Sequence, residues 1–218
     1  MSENNSALKN AIKTGTTTLG IVCSDGIVIA ADKRTTLGGQ LIVDKKSEKI
    51  VPIVDNIVIT TAGMASATDR LAKVARAELK ILEVRTNRKV LVKEAANLLL
   101  NFNYWGIRQI GEWELAAFIV AGKDATGYHL YDVSPDGVLS SHDDYASTGS
   151  GMVFVWPILE SKWKKGITVH EGIKLAVEAI NAAQLRDTAS GSGFDVYTIT
   201  EDGLKKVITR DLTVKAEI

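Results

Sequence analysis

Segments of strand character and segments of helix character alternate along this chain in a simple order. Short apolar runs bounded by turn residues, which are typical of strands, occupy residues 17–61, 115–131 and 194–209. Apolar residues spaced three or four positions apart, which are typical of helices, occupy residues 68–85, 92–110, 152–163 and 169–185. Two antiparallel sheets that each need one covered face can pack together, with a pair of helices on each outer side. The order therefore predicts one α+β domain, built as a four-layer α-β-β-α sandwich.

Local signals predict several turns and one helix start. Turn pairs that lie between apolar runs and predict hairpins are Asp25-Gly26, Asp55-Asn56 and Asp202-Gly203. Residues 34–40 predict a turn, residues 41–43 a short strand and residues 44–49 a charged connection. Thr168, followed three residues later by Glu171, predicts a capping box at the start of the last helix.

The helix at residues 92–110 has one apolar face. We expect this face to lie in the core and not to form a ligand pocket, and its members are Ala95, Leu98, Leu99, Phe102 and Trp105. The single cysteine, Cys23, lies in an apolar strand-type run. We therefore expect a buried structural thiol there, and one cysteine excludes both a disulfide within the chain and a cysteine-rich metal site.

Charge and hydropathy restrict the partners and the compartment. The 218 residues contain 26 Lys plus Arg and 26 Asp plus Glu, so the chain has no net field that attracts nucleic acid or an anionic membrane. No stretch reaches the roughly 18 apolar residues of a membrane span, and residues 1–15 lack the apolar centre of a secretory signal. We therefore expect a cytoplasmic chain with no nucleic-acid or membrane partner.

The most informative motif is the sequence Lys-Thr-Gly-Thr-Thr-Thr-Leu-Gly at residues 13–20. If the chain is cut between Gly15 and Thr16, Thr16 has a free α-amino group and a hydroxyl on one residue. A nucleophile and a base are then combined, as in N-terminal threonine catalysis. The alternative is that the threonines only begin a strand, because threonine favours pleated surfaces.

Other common catalytic motifs are missing from the sequence. It has no phosphate-binding loop, no Gly-x-Ser-x-Gly elbow and no zinc-ligand spacing, so we expect neither a metal nor a cofactor. The three histidines, His129, His142 and His170, are far apart and have no recognisable partner residues. A Ser-His-Asp hydrolase is therefore poorly supported.

Four segments together resemble the archaeal-type proteasome β subunits. They are Thr14–Ile21, Ala30–Arg34, Tyr145–Gly151 and Arg186–Gly191, in the family's order along the chain. The resemblance implies the fold of the N-terminal-nucleophile hydrolases, which is the four-layer sandwich. It also implies a propeptide at residues 1–15, a single catalytic domain at residues 16–218, and a threonine endopeptidase that removes its own leader at Gly15-Thr16.

The resemblance also implies the roles of individual residues. Thr16 corresponds to the nucleophile, Asp32 to the acid after the second strand, and Lys49 to the family lysine. Lys49 aligns with the family lysine only if this chain has a one-residue insertion around residues 37–41 relative to the family. Without that insertion, Glu48 occupies the position of the family lysine. A lysine near the hydroxyl favours its deprotonated form, and an adjacent carboxylate keeps that lysine charged.

Further positions match a supporting cluster, an oxyanion donor and a specificity pocket. The supporting cluster, which positions the N-terminal amine and a water, corresponds to Ser150, Asp187 and Ser190. The backbone amide of Gly63 corresponds to the oxyanion donor. Small or weakly polar residues at pocket positions are Thr35, Ser47, Val51, Thr61 and Ala65. The aspartate that many relatives have after the oxyanion glycine is absent, and the acid in this region is Asp69.

The partners implied by the resemblance are those of a stacked-ring particle. They are proteasome α subunits, other β subunits in seven-membered rings, a regulatory ATPase acting through the α ring, and unfolded polypeptide substrate. The main alternative is a structural β subunit whose leader is never removed, or is removed slowly, in a mixed β ring. A relative of the bacterial two-ring particle fits less well, because its catalytic threonine lies almost at the initiator methionine.

Overall fold

The computed structural model describes residues 15–111 and 115–212. The predicted leader therefore lies outside the described residues, except for its last residue, Gly15. The strands in these residues are β1 Thr18–Cys23, β2 Gly26–Asp32, β3 Thr35–Leu37, β4 Leu41–Asp44, β5 Ile50–Val54, β6 Ile57–Thr60, β7 Ala62–Gly63, β8 Ala116–Asp124, β9 Gly127–Val133, β10 Leu139–His142, β11 Tyr145–Thr148, β12 Gly193–Thr200 and β13 Gly203–Asp211. The helices are α1 Ala65–Thr86, α2 Val92–Ile110, α3 Met152–Lys162 and α4 Val169–Arg186.

The strands form two main antiparallel sheets and one small hairpin. The five-stranded sheet has the order β11-β1-β2-β12-β13. The six-stranded sheet has the order β10-β9-β8-β6-β5, and β7 also pairs with β8. The pair β3-β4 stands apart from both sheets. Strand β1, which begins within the motif at residues 13–20, therefore lies inside its sheet between β11 and β2.

Three apolar clusters fill the spaces between four layers. One cluster lies between the two sheets, one between the six-stranded sheet and helices α1 and α2, and one between the five-stranded sheet and helices α3 and α4. Fully buried residues that represent them are, in the same order, Ile29 with Ile119, Phe118 with Leu99, and Val28 with Ala179. The predicted α-β-β-α sandwich is confirmed.

Local predictions at turns and caps are also confirmed. The three predicted hairpins are present as β1-β2, β5-β6 and β12-β13. The Thr168 hydroxyl accepts the Glu171 N–H at 3.3 Å, and a Glu171 side-chain oxygen accepts the Thr168 N–H at 2.9 Å. The backbone N–H groups of Thr168 and Glu171, at the start of α4, are therefore each hydrogen-bonded by the other residue's side chain.

Three local predictions need correction. Residues 34–40 are not only a turn, because Thr35–Leu37 forms β3 and pairs with β4. Strand β11 was not predicted, although it closes one edge of the five-stranded sheet. Trp105 is 58% exposed and does not belong to the core. The two missed strands have only three and four residues, which is too short for a clear alternation of apolar and polar positions.

Within the described residues, no helix is both long and apolar enough to cross a membrane. The prediction of a buried thiol is confirmed, because Cys23 lies under α4 and is only 7% exposed. A Cβ added at Gly172 of α4 would lie 2.7 Å from the Sγ of Cys23. Burial raises the pKa of Cys23 to about 12, and the carboxylates of Asp25 and Glu171 act in the same direction.

We expect this thiol to resist alkylation in the folded chain. With the pKa raised, the thiolate fraction at pH 8 is on the order of one in ten thousand, and iodoacetamide reacts with the thiolate. The intact mass should remain unchanged in buffer and gain one carbamidomethyl group in denaturant. Rapid alkylation of the native chain would contradict the placement of Cys23 under α4.

Candidate active site

The ends of two paired strands bring the predicted nucleophile and the predicted acid together. In the antiparallel pair β1-β2, Thr18 lies opposite Ala31, so Thr17 lies beside Asp32 at the end of β2 and Thr16 lies just beyond it. The backbone N–H of Asp32 donates to the Thr17 carbonyl at 3.0 Å. Residues far apart in sequence are therefore neighbours because of the register of one hairpin.

The carboxylate of Asp32 is the most connected polar group in this region. Its Oδ1 accepts the Thr17 N–H and the Lys49 ammonium, each at 2.8 Å. Its Oδ2 accepts the backbone N–H groups of Arg34 and Gly191, each at 3.0 Å. Asp32 is only 1% exposed, so these four bonds replace its hydration.

Lys49, and not Glu48, is the residue that faces this carboxylate. Lys49 is 6% exposed and pairs with Asp32, whereas Glu48 is exposed. The backbone fixes this choice, because the Thr61 N–H donates to the Lys49 carbonyl at 2.9 Å, just before β5 begins. Burial lowers the pKa of Lys49, and the charge of Asp32 opposes that effect. The contacts of Lys49 therefore agree with the alignment that includes the insertion at residues 37–41.

A second polar cluster lies on the other side of Thr16. The Thr16 N–H donates to Ser150 Oγ at 3.3 Å. Ser150 Oγ and Ser190 Oγ each donate to Asp187 Oδ2 at 2.6 Å. Ser190 Oγ also lies 2.6 Å from Thr17 Oγ1. The three predicted supporting residues are thus connected to each other and to the backbone nitrogen of Thr16.

Two glycines give Ser150 its access to Thr16. A Cβ added at Gly149 would lie 2.1 Å from the Thr16 carbonyl oxygen, and Gly149 has a φ of +92°. A Cβ added at Gly151 would lie 1.8 Å from Thr17 Oγ1. The sequence analysis identified these glycines only through the family motif. The structure gives their physical reason, which is close backbone approach.

The Gly15 carbonyl, at the predicted cleavage site, lies among these groups. The Thr16 hydroxyl donates to the Gly15 carbonyl oxygen at 2.6 Å. The Lys49 ammonium donates to the same oxygen at 3.4 Å. Thr16 itself is 4% exposed. The hydroxyl, the lysine and the carbonyl of the predicted cleavage site are therefore in contact.

A cleft of about 340 Å³ opens beside Thr16. All five residues predicted for the specificity pocket line it, and they are Thr35, Ser47, Val51, Thr61 and Ala65. Gly63 also lines it, with a φ of +112°, and a Cβ there would lie 2.3 Å from the Leu115 carbonyl oxygen. The cleft therefore places the predicted oxyanion residue and the predicted pocket next to the same hydroxyl.

The sequence analysis missed most of the charged residues in this cleft. Charged residues that line it, apart from Lys49, are Asp44, Glu48, Asp69, Lys73 and Arg76. Asp44 accepts the Ser47 hydroxyl at 2.7 Å, and Ser47 in turn lies 2.6 Å from the Thr35 hydroxyl. The Asp69 carboxylate pairs with Lys73 at 2.7 Å. Asp69, Lys73 and Arg76 share one face of α1 at positions i, i+4 and i+7, whereas Asp44 ends β4 and Glu48 lies in the loop after it. The helical spacing marks three of them as one face, but nothing in the sequence places that face next to β4.

The buried pair of Asp32 and Lys49 predicts a large effect on stability. Asp32→Asn leaves the lysine charge buried without its partner, which costs about 3–5 kcal/mol in comparable pairs. We expect this loss in the free energy of unfolding of the unassembled chain, measured by urea denaturation. Asp69→Asn, which breaks an exposed pair, should cost less than about 1 kcal/mol. If adding Lys49→Met to Asp32→Asn restores no stability, the pair does not make this contribution.

Comparison with known proteins gives a consistent result over most of the chain. A family model described as "Proteasome subunit" matches residues 12–199. Proteasome subunit beta of Archaeoglobus fulgidus is 37% identical over 90% of this chain and 91% of its own length. Proteasome subunit beta 2 of Pyrococcus abyssi is 42% identical over 88% of this chain and 90% of its own length. Proteasome subunit beta 1 of Thermococcus kodakarensis is 38% identical over 88% of this chain and 92% of its own length.

Proposed function

The chain belongs to the proteasome subunit family as a β subunit of the core particle, and from this premise we propose that it is a threonine endopeptidase with Thr16 as its nucleophile. Membership of the family implies assembly into rings together with α subunits. One observation carries the proposal. The hydroxyl of Thr16 contacts the Gly15 carbonyl next to Lys49, while its nitrogen contacts Ser150.

The first proposed step is removal of the leader, residues 1–15. Thr16 Oγ attacks the carbonyl carbon of Gly15, and the bond from that carbon to the Thr16 nitrogen breaks. The hydroxyl proton ends on the nitrogen, which becomes the free α-amine, and an ester links Gly15 to Thr16 Oγ. Water then hydrolyses the ester. The contact of Lys49 Nζ with the Gly15 carbonyl oxygen, at 3.4 Å, supports a role in stabilising the negative charge that forms there.

The second proposed step is hydrolysis of a substrate peptide bond by the processed chain. The α-amine of Thr16 accepts the hydroxyl proton, directly or through a water, while Oγ attacks the substrate carbonyl. An unperturbed α-amine has a pKa near 8, so it can act as a base close to neutral pH. The proton then passes to the leaving amine, and water hydrolyses the acyl-enzyme.

The surrounding residues have distinct proposed roles in this step. Ser150, with Asp187 and Ser190 behind it, positions the α-amine and the water. Lys49 stabilises the deprotonated hydroxyl, and Asp32 keeps that lysine charged and oriented. The amide of Gly63 donates to the oxyanion. Its position on the cleft wall supports this role.

The proposed substrate is unfolded polypeptide that enters through the α ring, delivered by a regulatory ATPase in the cytoplasm. The cleft has small or weakly polar walls at Thr35, Val51 and Ala65, and charged residues of both signs also line it, so we expect it to accept small and polar side chains as well as apolar ones. The alternative is a structural β subunit that retains its leader in a mixed ring. That role also fits the fold, and the state of the bond between Gly15 and Thr16 distinguishes the two.

Substitution of the nucleophile gives the most direct functional prediction. Thr16→Ala should abolish peptide hydrolysis and leave residues 1–15 attached, because the hydroxyl is removed, while assembly into particles continues. Thr16→Ser retains a hydroxyl and an amine, so it should keep measurable activity. Hydrolysis of a fluorogenic peptide by assembled particles checks both variants. Full activity in Thr16→Ala particles would refute the assignment of the nucleophile.

Adjacent residues with opposite charge give a matched test of the lysine. Lys49→Ala should reduce peptide hydrolysis by at least about 100-fold, since removing one charge-stabilising donor typically costs that much. Glu48 also lines the cleft, but its exposed side chain lies outside the hydrogen-bonded cluster, so Glu48→Ala should change the rate at saturating peptide by less than about threefold. The measurement is the hydrolysis rate per assembled chain. Equal losses in the two variants would show that Lys49 has no specific role.

A further inference from the structure

Gly15, the residue before the cleavage site, is held from three directions. Its carbonyl oxygen accepts the Thr16 hydroxyl and the Lys49 ammonium. Its N–H donates to the Thr36 hydroxyl at 3.1 Å. Its Cα lies against Ala189, because a Cβ added at Gly15 would be 1.7 Å from the Ala189 Cβ. The peptide unit before Gly15 and the peptide unit after it are therefore both restrained.

Thr36 is a rigid anchor for this contact. It lies in β3, paired with Ile42 of β4, and it is only 1% exposed. The β-branched side chain of threonine has few χ1 states, so its hydroxyl keeps one direction. This hydroxyl contacts the backbone of Gly15 and has no part in the proposed steps of peptide hydrolysis.

We propose that Thr36 is a positioning residue for removal of the leader, because its hydroxyl fixes the Gly15 N–H and thereby orients the Gly15 carbonyl toward Thr16 Oγ. This proposal rests on the proposed function. Glycine has more backbone freedom than any other residue, so without an anchor the carbonyl of Gly15 can rotate away from the hydroxyl. Small misplacements of a reacting group can slow a reaction about 100-fold.

The contact with Ala189 complements this anchor from the opposite side. It leaves no room for a side chain at Gly15, so the leader must end in glycine, and glycine in turn needs an external hydrogen bond to hold its orientation. A substrate residue brings its own side chain into the cleft, which supplies part of that orientation. The Thr36 hydroxyl is therefore expected to matter more for leader removal than for substrate cleavage.

The test compares leader removal with peptide hydrolysis in Thr36→Val particles. Valine keeps the branched shape and loses the acceptor. After the full-length chain is mixed with α subunits, intact-mass measurements over time give the rate at which residues 1–15 are lost. We expect that rate to fall at least tenfold in Thr36→Val and to return in Thr36→Ser, which restores the hydroxyl. Hydrolysis of a fluorogenic peptide, divided by the number of processed chains, should fall by less than threefold.

A matched control is Thr198→Val. Thr198 is also a buried threonine, but it lies in β12 and not in β3. It should leave both rates unchanged. Leader removal at the wild-type rate in Thr36→Val would overturn the proposal, and so would an equal loss of both rates. If Thr36→Val does not assemble, Thr36→Ala replaces it. Failure of both to assemble would also overturn the proposal, since Thr36 would then be a residue of the fold.

The same experiment separates this proposal from the proposed function. If the wild-type chain never loses its leader in assembled particles, the proposed function fails. If the wild-type chain loses its leader and Thr36→Val loses it equally fast, only the role of Thr36 fails.

Discussion

The buried carboxylate of Asp32 connects its own segment of the chain to three others that are distant in sequence. It binds the backbone before β1, the side chain before β5, the backbone after β2 and the loop before β12. A charge with 1% exposure is stable only when such donors replace water. The position of Lys49 next to the Gly15 carbonyl depends on this carboxylate, and the proposed catalytic arrangement therefore depends on it as well.

The described residues bring the proposed nucleophile, the proposed lysine and the predicted cleavage site together. The Thr16 N–H donates to Ser150, the residue that is proposed to position the α-amine after cleavage. The cleft beside Gly63 is open while Gly15 still lines it. In the proposed function, leader removal and substrate cleavage share one nucleophile, one lysine and one oxyanion region.

Much of this arrangement could be predicted from the sequence, and the exceptions have physical causes. Periodicity and turn pairs predicted the four layers, because most strands and all four described helices are long enough to show a pattern. Sequence spacing left Lys49 and Glu48 as alternatives, and only the pairing of Thr61 with the Lys49 backbone resolves them. The contact between Thr36 and Gly15 was not predictable, because it joins a three-residue strand to a loop.

The central claim is that the α-amine of Thr16 becomes free, and intact mass spectrometry tests it most directly. The sample is this chain taken from fully assembled particles, formed with α subunits and any second β subunit. We predict a mass that lacks residues 1–15, with Thr16 as the new N-terminus. A full-length chain in the mature particle would contradict the account, because the nucleophile would then lack its base and the subunit would be structural.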